Sequence, residues 1–150
     1  MNSALIHRWN SKIQPNDIVY HLGDVGLCSK TKLREILKQL NGRIHLIIGN
    51  HDHDVLKMSE LFASVQAIKL IQLDGQQIFL SHYAHRVWPN SHRGSWHLYG
   101  HSHGTLFDDP NSLSFDVGVD CHNYYPLSLA EIAEIMKTKT FKPVDHHGEQ

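Results

Sequence analysis

The sequence predicts a single α/β domain. Residues 18–48 follow the order strand, helix, strand, residues 67–82 carry a hairpin pattern, and amphipathic helices are predicted near both ends of the chain. A strand–helix–strand unit of this kind is a parallel crossover, which is the building block of α/β folds. A chain of 150 residues is the usual size of one domain, so we expect one domain over residues 1–150.

The first half of the chain is predicted from the spacing of its apolar residues. An amphipathic helix is expected over residues 2–13, because its apolar side chains share one helical face. The crossover unit then consists of a β-branched strand at 18–22, a helix at 32–40 and a second apolar strand at 44–48. The carboxyl ends of these two strands should meet at one edge of the sheet.

The second half of the chain predicts a hairpin, two further strands and a closing helix. Two β-rich segments flank Asp74-Gly75, a typical two-residue hairpin turn. Short strands are predicted in the segment WHLY and over residues 113–119. The last helix is expected over residues 128–137, with Ser128 as its N-cap and Glu131 completing a capping box. The polar residues 143–150 are expected to form a disordered tail.

Composition and charge exclude several classes of function. Lys plus Arg number 14 and Asp plus Glu number 15, so no overall basic field attracts nucleic acid, which we expect at most as a substrate. No apolar stretch approaches the length of about 20 residues that a membrane-crossing helix needs. The first ten residues, MNSALIHRWN, do not resemble a secretory signal. We therefore expect a cytoplasmic protein without membrane contact, in which Cys28 and Cys121 are free thiols.

The sequence contains 14 histidines, several of which directly follow predicted strands together with carboxylate and amide residues. Histidine nitrogen with carboxylate or amide oxygen suits divalent ions such as Mn, Fe or Zn. Glycines precede three of these endings and allow the sharp turns that direct side chains to a common point. Four strands end in this way, in Asp24, in the run Asn50, His51 and Asp52, in His82, and in the pair His101 and His103.

The segments GDVG, GNHDHD, LSHY and GHSHG, in this order, resemble the later motifs of the calcineurin-like metallophosphoesterases. The resemblance covers most of the chain. It implies a four-layer αββα sandwich that carries two metal ions at the strand ends. It also implies hydrolysis of a phosphomonoester or phosphodiester by metal-activated water, without a nucleophilic side chain.

The resemblance assigns a role to each strand-end residue. Asp24 is expected to bridge the two ions, while Asn50, His82 and His101 complete one metal site and His103 binds the other ion.

The resemblance assigns the catalytic roles to two residues of the segment that follows the second predicted strand. His51 is expected beside the scissile phosphate, as a general acid or charge stabiliser, and Asp52 is expected to orient it.

The family pattern begins with an Asp-x-His motif on a first strand, and this sequence has no counterpart of that motif. The fold is therefore expected to lack its first strand, and one metal site keeps only Asp24 and His103. Three interpretations remain open. In the first, the chain is a fragment or late start of an ordinary two-metal enzyme. In the second, it binds one metal firmly and hydrolyses slowly, or a histidine such as His21, His53 or His85 replaces the missing ligands. In the third, it is a metal-binding remnant without catalytic activity. An exposed neighbouring strand would favour homodimers or strand exchange.

The loop HRVWPNSHRGSW, residues 85–96, has two interpretations. Arg86 or Arg93 could clamp a phosphate while Trp88 or Trp96 stacks on a base. Alternatively, the loop is ordinary and the two tryptophans anchor it.

Overall fold

The computed structural model describes residues 3–23, 30–50, 52–53, 55–102, 104–122, 125–142 and 144. In these residues it contains two β-sheets and three α-helices, which confirms the predicted α/β class. The helices are α1 (Ser3–Lys12), α2 (Lys30–Gln39) and α3 (Leu129–Lys137). Of the predicted disordered tail only residue 144 is described.

The first sheet is parallel and contains the predicted crossover unit. Its strands are β1 (Ile18–His21), β2 (Arg43–Ile47) and β3 (Ser64–Gln66), in the order β1-β2-β3. Helix α2 connects β1 to β2, and the register places His21 beside Leu46. The carboxyl ends of β1 and β2 therefore lie side by side, as the sequence predicted. Within the described residues, β1 is an edge strand.

The second sheet begins with the predicted hairpin. Its strands are β4 (Ile68–Leu73), β5 (Gln76–Ser81), β6 (Trp96–Tyr99) and β7 (Ser114–Asp116), in the order β4-β5-β6-β7. Strands β4 and β5 are antiparallel, and both turn residues, Asp74 and Gly75, have positive φ, of 51° and 81°. Two positive φ values are the signature of a type I′ turn, whose twist matches that of the flanking strands. Strands β5, β6 and β7 are mutually parallel.

Two apolar clusters hold these layers together. The first packs α1 and α2 against β2, with Trp9, Leu33 and Leu46 among its buried members. The second lies between the two sheets, where Ile47 meets Ile78 and the other inward-facing residues, and it also receives α3. The alternation of side chains along each strand produces this arrangement, since every second residue faces the partner sheet.

Helix α3 starts as the sequence predicted. The Ser128 side chain accepts a hydrogen bond from the Glu131 backbone N–H, and the Glu131 carboxylate accepts one from the Ser128 N–H. This reciprocal capping box fixes the first residue of the helix. Lys12 of α1 reaches across to α3 and donates to the Pro126 carbonyl and the Glu131 carboxylate. None of the helices in the described part of the chain is long and apolar enough to span a lipid bilayer.

An apolar cavity of about 730 Å³ runs along β1, between α1, α3 and the inner face of the second sheet. Its walls include Trp9, Tyr20 and Ile132, and its end is formed by His82 and His101. Two of the strand ends that carry predicted polar residues therefore contribute to the wall of this cavity.

Candidate metal centre

Three of the predicted residues converge at the strand ends. Asn50 follows β2, His82 follows β5 and His101 follows β6. His82 Nε2 lies 2.9 Å from Asn50 Oδ1 and 3.1 Å from His101 Nδ1. His82 is 3% exposed, whereas Asn50 and His101 are exposed, so the site has a buried base and is open to solvent on one side. Residues from both sheets thus bring one oxygen and two nitrogens together.

The backbone of β1 sets the orientation of the His82 ring. His82 Nδ1 lies 2.7 Å from the Leu22 carbonyl oxygen, which can only accept a hydrogen bond, so Nδ1 is the donor. A neutral imidazole that donates from Nδ1 carries its lone pair on Nε2. This lone pair points at Asn50 Oδ1, a second lone-pair atom, in the amide orientation of the structure. Two acceptors facing each other at 2.9 Å form the arrangement that ligands adopt around a cation.

The donor set fits a divalent ion of the borderline class. Nitrogen and oxygen ligands bind such ions at about 2.0–2.2 Å, which puts neighbouring donors about 3 Å apart in an octahedral site. The separations of 2.9 and 3.1 Å match that spacing. No group of three His, Cys, Asp or Glu side chains is placed to hold a metal among the described residues. The third donor here is an amide, and the predicted ligands Asp24 and His103 lie outside the described residues.

Two glycines allow the strand ends to approach closely. Gly23 has φ of +101°, and a Cβ on it would lie 2.6 Å from both Gly49 Cα and His82 Nδ1. Both the backbone conformation and the available space therefore require glycine at position 23. The glycines before the predicted ligands were expected to have this role, and Gly23 is the position where the structure shows it most clearly.

The turn after β2 is closed by Asp52. This carboxylate is 0% exposed, and its Oδ2 accepts a hydrogen bond from the Gly49 N–H at 2.7 Å. The Asp52 N–H in turn donates to the Gly49 carbonyl at 3.3 Å. These two bonds fix the backbone that carries Asn50. The predicted orientation of His51 by Asp52 stays a prediction, because His51 lies outside the described residues.

The turn after β6 has a strained backbone at its first residue. His101 has φ of +65°, in the left-handed region that non-glycine residues seldom adopt. Its ring centroid lies 4.6 Å from that of Tyr83, which also packs against His82 at 5.0 Å. The Gly100 N–H donates to the His82 carbonyl at 3.0 Å and so ties the two turns together. Strain of this kind is characteristic of residues held for function.

His97 supports the His82 turn from the opposite face of the second sheet, a role that the sequence analysis missed. It is 0% exposed, its Nδ1 donates to the Phe79 carbonyl at 3.0 Å, and its Nε2 accepts from the His85 N–H at 2.9 Å. Burial lowers the pKa of His97 to about 4, so the ring is neutral at pH 7. The alternation of β6 was the available signal, because it separates His97 and Tyr99 from the inward-facing Leu98.

The loop of residues 85–96 is anchored by its tryptophans, as the second interpretation proposed. Trp88 is buried and donates from Nε1 to the Ser95 carbonyl at 3.1 Å, while Trp96 packs against the cluster between the sheets. The burial and the hydrogen bond favour an anchoring role for Trp88. Arg86 and Arg93 remain exposed.

The structure separates the three histidines that were considered as substitutes for missing ligands. His21 stacks on Trp9 and its Nδ1 accepts from the Gly23 N–H at 3.1 Å, so it lies beside the centre. His53 is exposed. His85 points to Ser81, with Nδ1 and Oγ 3.1 Å apart, on the side of the second sheet that carries His97. Cys121 forms no disulfide within the described residues, as expected, and Cys28 lies outside them.

The family follows from the sequence as a whole. The profile of the calcineurin-like phosphoesterase superfamily domain matches residues 1–116, more than half of the chain. The chain belongs to the calcineurin-like phosphoesterase superfamily. This confirms the resemblance carried by the four motifs. Members of this family are phosphoesterases and generally bind divalent metal ions.

Relatives extend the match across most of the chain. The uncharacterized protein MJ1445 of Methanocaldococcus jannaschii is 35% identical over 144 residues, which cover 91% of this chain and 76% of that protein. The crystal structure of AQ665 from Aquifex aeolicus, a protein of unknown function, has a TM-score of 0.66 at 24% identity and covers 88% of this chain and 83% of its own. A novel archaeal phosphodiesterase has a TM-score of 0.53 at 22% identity and covers 75% and 72%. Both structures share the fold of this calcineurin-like chain.

Proposed function

We propose that this chain is a metal-dependent phosphoesterase that hydrolyses a phosphomonoester or phosphodiester with a metal-activated water molecule. Membership of the superfamily supports the reaction class. The likeness to an archaeal phosphodiesterase supports a fold able to carry it. The single observation on which the proposal depends is the convergence of His82 Nε2, Asn50 Oδ1 and His101 Nδ1 within 3.1 Å.

The ligands of the proposed ion come from both sheets. Asn50, His82 and His101 would hold it together with Asp24, and His103 would bind a second ion that shares Asp24. The fixed hydrogen bond from His82 to the Leu22 carbonyl supports the assignment, because metal-binding histidines usually donate their second ring N–H in this way. Mn, Fe and Zn all accept such a donor set.

Each residue of the chain has a separate task in the reaction. Divalent ions, when bound, neutralise the phosphate charge and lower the pKa of a bound water to near neutrality. His51 would hold a proton for the leaving oxygen, and Asp52 would keep the turn that carries Asn50 and His51 in place through its bond to the Gly49 N–H. The Leu22 carbonyl keeps the His82 lone pair on Nε2.

Hydrolysis of bis(p-nitrophenyl) phosphate in the presence of Mn tests the proposal. We expect turnover by the wild type, a loss on the order of 100-fold or more in Asp24→Asn and His51→Ala, and no change in His7→Asn, a control on the exposed side of α1. Turnover that is unaffected by Asp24→Asn would reject the centre as drawn. Tight Mn binding without turnover would instead favour the alternative, a catalytically silent metal-binding protein.

A further inference from the structure

A second cavity lies on the outer face of the second sheet. It measures about 410 Å³ and is enclosed by the loop after β5, the segment between β6 and β7, and the residues that follow α3. We call it the outer pocket and define it by its lining residues within 84–91, 106–114 and 141–144, together with Tyr99. Side chains alternate along β6, so Tyr99 faces this pocket whereas Leu98 faces the cluster between the sheets.

The outer pocket adjoins the candidate metal centre through two short stretches of chain. Ala84 lies two residues after His82, and Tyr99 lies two residues before His101. An extended chain advances at most about 3.6 Å per residue, so both points lie within about 7 Å of the nearer histidine along the backbone. Tyr83, which packs against the rings of His82 and His101, directly precedes Ala84. Residues that line the pocket therefore continue directly into residues of the candidate metal centre.

The walls of the outer pocket suit an aromatic ring. Trp88 forms a buried wall, and Phe107 and Phe141 stand at the rim with exposures of 78% and 47%. Leu106 and Val144 add two further exposed apolar side chains. Single exposed apolar residues are ordinary, but several around one concave surface are typical of a binding site.

Tyr99 brings a hydroxyl group to the lining of the outer pocket. Tyr99 is 4% exposed, and its hydroxyl has no hydrogen bond to any described residue of the chain. The hydroxyl is not among the fully buried unpaired groups of the described residues, so it can donate to a ligand in the pocket.

The charges around the outer pocket favour an anion. Arg86 and Lys142 line it, and neither side chain forms an ion pair with the described part of the chain. Asp108 pairs with Lys139, and Asp109, which also lines the pocket, accepts from the Asn111 N–H at 2.8 Å and keeps its charge. The two cationic side chains in the lining therefore outnumber its one carboxylate.

We propose that the outer pocket binds the aromatic group of an anionic phosphoester substrate. In this arrangement, the Tyr99 hydroxyl donates a hydrogen bond to a substituent on the aromatic ring, and Arg86 faces a negative charge of the substrate. The inference rests on the proposed function, because it takes the scissile phosphate to lie at the strand ends. It narrows the substrate class to esters of aromatic alcohols or of nucleosides, whose bases are aromatic.

Binding without metal tests the pocket separately from catalysis. Phenyl phosphate and methyl phosphate are titrated into the chelator-treated full chain by calorimetry. We expect phenyl phosphate to bind at least about 10-fold more tightly than methyl phosphate, because burial of a ring contributes one to two kcal/mol in such a site. Equal affinity for the two phosphates, or no binding of phenyl phosphate, overturns the proposal.

Variants locate the site. Phe107→Ala should weaken phenyl phosphate binding by about 5-fold to 10-fold and leave methyl phosphate unchanged. Tyr99→Phe should weaken binding of p-nitrophenyl phosphate, whose ring carries an acceptor, by about 5-fold to 10-fold and leave phenyl phosphate unchanged. Leu70→Ala is the matched control, because Leu70 is exposed on β4, the strand of the second sheet furthest from β7. A loss in Leu70→Ala equal to that in Phe107→Ala would overturn the assignment.

Kinetics distinguish the two proposals from each other. If the chain hydrolyses bis(p-nitrophenyl) phosphate, Phe107→Ala should raise KM by about 5-fold with kcat nearly constant. If the chain binds phenyl phosphate in the outer pocket but hydrolyses no ester, the pocket stands and the proposed function fails. If it hydrolyses esters but Phe107→Ala leaves KM unchanged, the proposed function stands and the pocket fails.

Discussion

The Leu22 carbonyl accepts a hydrogen bond from His82 Nδ1 at 2.7 Å, although the two residues are 60 positions apart and follow strands of different sheets. This bond fixes which nitrogen of His82 faces the candidate metal centre. It also makes the chemistry of the centre depend on how the two sheets are packed.

Replacement of His82 should remove metal binding. We expect His82→Asn to weaken Mn binding by about 100-fold, because the shorter amide cannot keep both the bond to Leu22 and a donor atom at the Nε2 position. Calorimetric titration with Mn measures the affinity. His7→Asn, on the exposed side of α1, should bind as the wild type does. Equal affinities in the two variants would contradict the assignment of His82.

A methyl group at Gly23 should disrupt the centre. Gly23→Ala forces a Cβ to within 2.6 Å of Gly49 Cα and His82 Nδ1, in addition to its unfavourable φ of +101°. We expect a loss of about 3 kcal/mol or more in the free energy of unfolding, measured in urea, together with weaker Mn binding.

Gly75→Ala provides the matched control for that substitution. Gly75 also has positive φ, of +81°, but nothing lies within 4 Å of a Cβ placed on it. Its substitution should therefore cost only the backbone strain of about 1–2 kcal/mol and leave Mn binding unchanged. A loss of Mn binding in Gly75→Ala as large as that in Gly23→Ala would show that the crowding at Gly23 is irrelevant.

The buried carboxylate of Asp52 should stabilise the turn after β2. Asp52→Ala leaves the buried Gly49 N–H without its acceptor and should reduce the free energy of unfolding by about 1–3 kcal/mol. Asp52→Asn retains an acceptor oxygen and should cost less. Asp17 accepts from the Gln14 N–H at an exposed position, so Asp17→Ala should cost well under half as much as Asp52→Ala. Chemical denaturation of the three variants decides the order.

Protonation of His97 should destabilise the fold in mild acid. Its pKa is lowered from 6.5 to about 4 by burial, so between these values the unfolded chain takes up a proton that the folded chain does not. The stabilising effect of His97 is therefore complete above pH 6.5 and decreases as the pH falls toward 4, by about 3 kcal/mol in total.

The variant His97→Gln isolates this contribution. The free energy of unfolding of the wild type should fall more steeply between pH 6.5 and 4 than that of the variant. Parallel slopes in the two proteins would show that His97 is not the titrating group.

Local patterns in the sequence were sufficient for most of the fold. The crossover unit, the hairpin at Asp74-Gly75 and the capping box at Ser128 are encoded within a few residues each, and all three are confirmed. Strand β3 was missed, because Ser64–Gln66 has a single apolar residue and becomes a strand only by pairing with β2. Such pairing depends on tertiary structure that no short pattern contains.

The candidate centre was predictable in its members but not in its details. Asn50, His82 and His101 were expected together because parallel strands deliver their carboxyl ends to one edge, and the structure places them within 3.1 Å. The metal-binding roles remain predictions. The tautomer of His82 depends on a hydrogen bond to the Leu22 carbonyl, and the position of His97 depends on one to the Phe79 carbonyl. Both carbonyls are distant in the sequence from the histidines they contact, so neither detail could be inferred from residue types.

The donors of the candidate centre belong to separate sheets, Asn50 to the first and His82 and His101 to the second. A cation bound by all three donors would cross-link the two sheets. Because the ion would bind only the folded chain, its binding would be linked to the unfolding equilibrium. Each tenfold excess of the free ion over its dissociation constant would then add about 1.4 kcal/mol to the stability of the whole chain. Removal of the ion by a chelator would therefore weaken the contact between the two sheets as well as abolish hydrolysis.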